Sequence, residues 1–264
     1  MRTLLIVVDG MRPDAIEHLE CVKKIMRKSS YCMRATTVMP PVTLPCHMSL
    51  FHSVDPYKHG TVTNVFAPQV RSINGLCEVL YQNNKKSAFF YSWGELRDIS
   101  KPNTLTYSFF CKAKDAGYEE TCDIVTNAAI KYLGQNYVDF TFLYLGYPDA
   151  VGHRCGWMSK EYMHAIEKCW DEIELVINSL PDGYSVFITA DHGGHEKNHG
   201  ENIKEDMLIP LIIIGEDFEK NAVIENANIK DIAPTIAAIL GVEPDSEWEG
   251  KCIKPNLKRP ERDF

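Results

Sequence analysis

Short apolar runs alternate with amphipathic stretches along this chain. The apolar runs are rich in β-branched and aromatic residues and are too short for buried helices, so they predict strands. These strands lie at 3–8, 87–91, 140–145, 186–189 and 207–215, with a shorter one at 222–224. Apolar residues spaced three and four apart predict helices at about 12–28, 74–82, 119–135, 159–180 and 231–240. The alternation predicts an α/β fold with a largely parallel sheet.

Length and composition favour a single globular unit. The chain has 264 residues, of which 45% are apolar and 24% charged, so we expect one domain spanning 1–264. A formal net charge of −8 argues against a nucleic-acid-binding surface. The nine cysteines are scattered along the chain, which is typical of reduced thiols. We expect no leader before the first strand. The apolar run at 207–214 is too short to span a bilayer. The expected location is therefore cytoplasmic, without membrane contact; the oligomeric state is left open.

The stretch from Ser185 to Gly200 has the strongest chemical pattern. A predicted strand ends at Thr189 and is followed by Asp191, His192, two glycines, His195 and His199. One carboxylate and up to three imidazoles in one loop suit a divalent metal ion, with zinc first and manganese as an alternative. The competing interpretation is a plain turn with solvated histidines.

Two other predicted strands end in similar side chains. Asp9 directly follows the strand at 3–8, and Asp149 and His153 follow the strand at 140–145. Pro148 and Gly152 oppose regular structure there, so we expect a loop in which both side chains converge on one ion. Because parallel sheets collect their sites at the carboxyl ends of the strands, these groups are expected to lie near the 185–200 loop. Alone, each could still be a helix cap, although this role is less plausible for Asp149 and His153 together.

A hydroxyl and an amide complete the candidate chemistry. Thr43 lies near a predicted helix N-terminus, where backbone N–H groups favour an anion, and Asn64 lies in a turn-rich loop. Thr43 could also be an N-cap and Asn64 a turn residue. Cys46 and His47 are interpreted as a core cysteine and a surface histidine, because adjacent residues on a helix do not face each other. The irregular segment 93–118 is either a substrate-facing excursion or a surface loop.

Six segments together resemble the type I phosphodiesterase/nucleotide pyrophosphatase family of the alkaline phosphatase superfamily. They are VVDGMRPD at 7–14, PPVTLPCHMS at 40–49, HGTVTN at 59–64, PDAVGH at 148–153, TADHGGHEKNHG at 189–200 and DIAPTIAAILG at 231–241. The resemblance covers nearly the whole chain in the family's order. It implies a three-layer αβα sandwich with a central, mostly parallel sheet.

The resemblance also implies roles for individual residues. One zinc ion would be held by Asp149, His153 and His199, and a second by Asp9, Asp191 and His192 together with the Thr43 oxygen. Thr43 would attack phosphorus and form a phosphothreonine, while Asn64 and the backbone N–H of the nucleophile hold a phosphoryl oxygen. Tyr144 matches the family's tyrosine, and Leu44 stands where a base-stacking aromatic often follows the nucleophile. His195 is the competing third imidazole, but the family's His-Gly matches His199-Gly200.

The expected reaction is hydrolysis of phosphodiester or nucleotide pyrophosphate bonds in small molecules. The alternatives are a phosphomonoesterase or phosphonate hydrolase with the same residues, and a non-catalytic domain that binds metal or ligand. The chain leaves no room for the large inserted cap of the family's phosphomutase relatives, so mutase chemistry is not expected.

Overall fold

Eight strands form one sheet in the computed structural model, which describes residues 1–253. The strands are β1 (Arg2–Val8), β2 (Ser30–Thr36), β3 (Ser87–Tyr91), β4 (Tyr107–Phe110), β5 (Phe140–Leu145), β6 (Tyr184–Thr189), β7 (Leu208–Ile214) and β8 (Ala222–Val223). Their order across the sheet is β4-β3-β5-β1-β6-β7-β2-β8. Strand β7 is antiparallel to both of its neighbours and all other pairs are parallel. The predicted, mostly parallel sheet is confirmed.

Helices cover both faces of the sheet, which confirms the three-layer arrangement. They are α1 (Glu20–Met26), α2 (Thr43–His52), α3 (Pro56–His59), α4 (Leu76–Gln82), α5 (Ala113–Ala116), α6 (Tyr118–Leu133), α7 (Tyr147–Cys155), α8 (Lys160–Ser179), α9 (Lys204–Met207) and α10 (Ile232–Ile239). Short 3-10 helices span Pro13–Ala15, Gly94–Ile99 and Ile229–Asp231. Helices α1, α6 and α7 contact α8 and form one group, whereas α2, α4 and α10 contact one another in a second group. In the part of the chain that the structure describes, no helix is both long and apolar enough to cross a membrane.

Strand β1 lies at the centre of the sheet, between β5 and β6. Ile6 pairs with Leu143 on one side and Ile188 on the other, and all three side chains are fully buried. Such strands are buried on both faces, which explains why their sequences are continuously apolar rather than alternating. The carboxyl ends of β5, β1 and β6 therefore lie side by side at one edge of the sheet.

An aromatic cluster fixes helix α2 on this sheet. The ring of Phe51 lies 5.5 Å from that of Phe89 on β3 and 5.2 Å from that of Phe142 on β5, measured between centroids. All three rings are fully buried, and burial of one such side chain stabilises the fold by about 2–3 kcal/mol. Because Phe51 lies near the end of α2, this packing anchors the helix that begins at Thr43.

Three predictions about local structure are wrong. The helix expected at 12–28 is divided into the 3-10 turn at Pro13–Ala15 and α1, because Leu19 has an extended backbone and the fully buried Ala15 and Ile16 lie before it. The loop expected at 147–153 is helix α7: Pro148 occupies its first turn, where a missing N–H costs nothing. The segment 93–118 is not irregular, since it contains edge strand β4, which pairs with β3.

The polar, proline-bearing sequence from Lys251 onward predicts a tail that wraps the surface. All but its first three residues lie at 254–264, outside the described residues.

Candidate active site

Three carboxylates meet where the central strands end. Asp9 directly follows β1, Asp191 lies two residues after β6, and Asp149 lies in the first turn of α7, just after β5. Asp9 is 2% exposed and Asp191 is fully buried. The adjacency of β5, β1 and β6 in the sheet brings these residues together although they are distant in sequence.

Each carboxylate keeps one buried oxygen without a hydrogen-bond partner. Asp191 accepts hydrogen bonds from the backbone N–H groups of Gly10 (3.2 Å) and His192 (3.0 Å) through Oδ1, and the Tyr144 hydroxyl donates to Asp9 Oδ2. The oxygens left without a partner are Asp9 Oδ1, Asp149 Oδ1 and Asp191 Oδ2. Buried, unpaired anionic oxygens are costly, so this cluster requires either protons or cations.

Three histidines present the same nitrogen to these carboxylates. Nδ1 lies 3.0 Å from the Lys197 carbonyl in His153, 2.8 Å from the Gly193 carbonyl in His192, and 2.8 Å from the Pro41 carbonyl in His199. Because a carbonyl only accepts, Nδ1 carries the proton in each ring and Nε2 keeps a free lone pair. Metal-ligating histidines are usually oriented in this way.

The Nε2 atoms face the unpaired oxygens. Those of His153 and His199 lie 3.5 and 3.7 Å from Asp149 Oδ1. The Nε2 of His192 lies 3.5 Å from Asp9 Oδ1 and 3.4 Å from Asp191 Oδ2.

Ligand atoms fall into two overlapping groups. The donor atoms of Asp149, His153 and His199 lie within 4.8 Å of one another, and so do those of Asp9, Asp149 and His192. The first group matches the set implied by the resemblance. In the second, Asp149 takes the place expected for Asp191, whose Oδ2 is nevertheless close to His192. Asp149 therefore lies within reach of both groups.

Burial governs the charges at this site. It raises the pKa of Asp9, with a further contribution from the neighbouring Asp191 and Asp149, and it also raises the pKa of Asp149. Burial and the adjacent His192 lower the pKa of His199 to about 3, so this imidazole is neutral at pH 7. Imidazole nitrogens and carboxylate oxygens arranged in this way form a donor set that fits divalent metal ions.

Thr43 is the first residue of α2 and is 4% exposed. Its Oγ1 lies 3.2 Å from His192 Nε2. The hydroxyl is thus placed at a helix N-terminus, against one of the two ligand groups. The backbone N–H of the next residue, Leu44, donates to Asn64 Oδ1 at 2.9 Å, which ties the loop at 54–66 to the start of α2.

Two neighbours of Thr43 differ from expectation. The side chain of Leu44 is fully buried, so it cannot contact a substrate in the cleft; only its backbone N–H takes part in the site. His47 is not a surface residue but is fully buried, with Nδ1 2.8 Å from the Thr43 carbonyl and 3.5 Å from Asp191 Oδ2. The spacing of four from Thr43, which places both residues on one helix face, was the signal for this contact.

His195 lies outside the ligand groups. Its Nδ1 is bonded to Asp206 Oδ1 at 2.8 Å, whereas His199 faces Asp149. The sequence offered His195 and His199 as alternatives for the third imidazole, and the structure places His199 beside Asp149.

The ligand groups open into a cleft of about 470 Å³. Asp9, Thr43, Asn64, Tyr144, Asp149, His153 and His199 line one part of it. The 93–118 segment lines another part with Trp93, Glu95, Phe110, Lys112, Lys114 and Tyr118, joined by Tyr147 and Arg154. Aromatic and cationic side chains thus line the same cleft as the carboxylates and histidines.

Trp157 is a site residue that the sequence reasoning missed. Its Nε1 donates to the Gly10 carbonyl at 3.0 Å, and its ring lies edge-on 5.1 Å from His153 and 5.9 Å from His199. A Cβ at Gly194 would lie 2.2 Å from this ring, so the glycine is required for close approach. The sequence carried no local signal for this contact, because α7 ends at Cys155 and Trp157 lies beyond the turn at Gly156.

Comparison with known sequences identifies related families. Residues 3–210 match the description "Type I phosphodiesterase / nucleotide pyrophosphatase". The 2,3-bisphosphoglycerate-independent phosphoglycerate mutase of Clostridioides difficile (strain 630) is 28% identical over 227 residues, covering 73% of this chain and 42% of the mutase. The corresponding mutase of Mycoplasma genitalium is 28% identical over 219 residues, covering 75% and 41%. The chain spans about two-fifths of the length of these curated relatives.

Solved structures share the fold at low sequence identity. Murine ectonucleotide pyrophosphatase/phosphodiesterase 5, in an inactive form in complex with AMP, superposes with a TM-score of 0.75 at 15% identity, covering 92% of this chain and 96% of that one. The phosphonate monoester hydrolase of Agrobacterium radiobacter gives a TM-score of 0.74 at 12% identity, covering 96% and 76%.

Proposed function

The chain belongs to the type I phosphodiesterase/nucleotide pyrophosphatase family, and from this premise we propose that it is a metal-dependent hydrolase of phosphodiester or nucleotide pyrophosphate bonds. One observation carries the proposal. The Thr43 hydroxyl, at the N-terminus of α2, lies 3.2 Å from His192 Nε2, within a cluster of buried carboxylates that lack partners for one oxygen each.

Two divalent ions, zinc or manganese, fit the donor set. Asp149, His153 and His199 would hold one, and Asp9, Asp191 and His192 the other, with Asp149 in reach of both. When bound, such ions lower the pKa of a nearby hydroxyl and offset charge on phosphoryl oxygens.

Thr43 is the proposed nucleophile. Its Oγ1 forms a bond to phosphorus while the bond to the leaving oxygen breaks, which gives a phosphothreonine that water then hydrolyses. The dipole of α2 favours negative charge at this position. Because Thr43 is almost fully buried, bulk water competes poorly with this hydroxyl.

Asn64 is the proposed ligand of a phosphoryl oxygen. Its Oδ1 accepts the N–H of Leu44, so its NH₂ group is the end of the amide that remains for a substrate. A neutral donor held in advance lowers the reorganisation needed when charge develops on the phosphoryl group.

The cleft favours a nucleotide-like leaving group. Trp93, Phe110 and Tyr118 offer aromatic surface, and Lys112 and Arg154 offer positive charge, in the cleft that the carboxylates also line. AMP in the murine relative's structure is a molecule of this class. The same cations could hold the dianion of a phosphomonoester or phosphonate, which is the second candidate.

Metal content and turnover test the proposal together. Wild type, Thr43→Ser and Thr43→Ala would be reconstituted with zinc or manganese and assayed on a chromogenic phosphodiester and its matched monoester. We expect about two ions per chain in all three. Thr43→Ala should lower kcat by about 10³-fold or more, and the diester should be preferred.

Three outcomes would redirect the assignment. A preference for the monoester would favour the second candidate. Bound metal without turnover that depends on Thr43 would indicate a domain that binds ligand without catalysis. A chain that binds no metal and shows no turnover would overturn the hydrolase proposal.

A further inference from the structure

The loop that carries His199 is tied to a buried carboxylate outside both ligand groups. Asp206 on α9 is fully buried. Its Oδ1 accepts from His195 Nδ1 at 2.8 Å, and its Oδ2 accepts from the backbone N–H groups of Gly200 (2.8 Å) and Glu201 (2.9 Å). The carboxylate thus receives three donors from one loop, and these compensate the cost of its burial.

The backbone of the same segment holds the other end of the loop. The N–H of Gly193 donates to the Asp206 carbonyl and the N–H of Gly194 to the Glu205 carbonyl, both at 2.8 Å. The loop from Gly193 to Glu201 is therefore anchored to α9 at its start, at His195 and at its end.

This loop serves two of the three ligands of one group. It contains His199, and the Lys197 carbonyl is the acceptor that orients His153 Nδ1. The Glu196 carbonyl also accepts from the backbone N–H of Trp157 at 2.7 Å, which joins the loop to the residue whose ring packs against both histidines. In contrast, Asp9 directly follows β1, and Asp191 and His192 lie two and three residues after β6. The loop reaches this group through the Gly193 carbonyl at its start, which accepts from His192 Nδ1.

We propose that Asp206 is a positioning residue: acting through His195 and the Gly200 and Glu201 amides, it holds the 193–201 loop so that His199 and His153 converge on Asp149. The inference rests on the proposed metal-dependent function. It goes beyond that function in assigning separate control of one ligand group to a residue that touches neither metal nor substrate.

Zinc binding by matched variants tests whether Asp206 holds the 193–201 loop in this way. The full chain would be titrated with Zn²⁺ against a chromogenic chelator as wild type, Asp206→Asn, His195→Ala and His195→Asn. In His195→Asn the amide nitrogen occupies the place of His Nδ1 and can still donate to Asp206 Oδ1. Glu201→Gln is the control: it removes the carboxylate that lies 3.7 Å from His195 Nε2, but it keeps the Glu201 backbone N–H and the hydrogen bond from His195 Nδ1 to Asp206.

We expect one of two zinc sites to lose affinity by about 10- to 100-fold in Asp206→Asn and His195→Ala, the range found when groups that orient metal ligands are removed. The other site should change by less than about two-fold, as should both sites in Glu201→Gln. His195→Asn should restore most of the loss, and a general loss of structure would not show this rescue. The double variant Asp206→Asn/His153→Ala should have nearly the same zinc affinity as His153→Ala alone, because both changes act on one site.

A second measurement needs no metal. Amide hydrogen exchange at Gly200 and Glu201 in the zinc-free protein should be faster in Asp206→Asn than in wild type, because their acceptor is weakened. Unchanged affinity at both sites, equal losses at both, or no rescue by His195→Asn would overturn the inference. If wild type binds no zinc, the proposed function fails, and the exchange measurement still decides whether Asp206 holds the loop. If Asp206→Asn does not fold, the two His195 variants carry the test.

Discussion

The hydrogen bond from Tyr144 to Asp9 allows a direct test of how neighbouring groups set the metal affinity of the site. Tyr144 is 3% exposed and Asp9 is 2% exposed, and the hydroxyl donates to Asp9 Oδ2. Burial and the neighbouring carboxylates raise the pKa of Asp9, and the Tyr144 hydroxyl opposes that rise. Tyr144→Phe removes the donor with almost no change in volume, so it should make Asp9 harder to ionise.

The expected loss follows from the strength of this bond. A hydrogen bond to a charged group contributes about 1.5–3 kcal/mol, and about 1.4 kcal/mol corresponds to a tenfold change in affinity. Because a carboxylate must lose its proton to bind a metal ion, Tyr144→Phe should weaken zinc binding at the site that contains Asp9 by roughly 10- to 100-fold at pH 7. In the zinc-free protein the free energy of unfolding should change less, because the raised pKa of Asp9 disfavours the charged form to which Tyr144 donates most strongly.

Competition titrations at pH 7 and pH 8.5 would measure this effect. The loss should shrink at the higher pH, where fewer protons compete for Asp9. Tyr147→Phe is the matched control: Tyr147 lines the same cleft, but its hydroxyl donates to Glu119 Oε2 at 3.0 Å. Unchanged zinc affinity in Tyr144→Phe, or an equal loss in Tyr147→Phe, would refute the reasoning.

Two further predictions concern stability in the presence of a chelator, measured by urea unfolding. Burial lowers the pKa of His59 from 6.5 to about 4, so between these values the unfolded chain binds a proton that the folded chain does not, and stability falls as the pH falls. Lowering the pH from 7 to 5 should reduce the free energy of unfolding by about 2 kcal/mol through this residue. In His59→Asn the free energy of unfolding should therefore depend less steeply on pH, and the same pH dependence as in wild type would contradict this prediction. Gly194→Ala places a Cβ 2.2 Å from the Trp157 ring and should destabilise the protein by about 1–3 kcal/mol, whereas Gly94→Ala, whose nearest neighbour is 3.5 Å away, should be tolerated. Equal stability of the two alanine variants would show that the ring moves freely.

The element types were most predictable where one local signal dominated. Continuous apolar runs predicted β1, β3, β5 and β7 within one or two residues, because a strand buried on both faces must be apolar throughout. Helix α8 was equally clear, since its apolar stripe repeats at helical spacing and Ser159 caps its start. Strand β4 was missed because its side chains at the edge of the sheet are only half-buried or exposed, and its four residues are too few to show a period.

Helix α7 was missed for a different reason. Pro148 and Gly152 disfavour a helix in isolation, but proline suits the first turn, and the Trp157 ring lies where a side chain at Gly152 would be. Packing against a residue five positions away therefore outweighed the local preference. His47 shows the same limit, because nothing in its immediate neighbours tells that a polar ring is fully buried against Asp191.

The sequence by itself determined the chemistry that is available: carboxylates and imidazoles after the strands, a hydroxyl at a helix start, and an order of motifs that identified the family. These are local properties, since strand ends and helix starts are set by adjacent residues. Only the tertiary structure decided which of these groups meet. It selected His199 rather than His195, placed Asp149 within reach of both ligand groups and removed the Leu44 side chain from the cleft. The physical reason is that strand order, burial and backbone acceptors such as the Pro41 carbonyl bring together residues far apart in the chain, and no local pattern records those pairings.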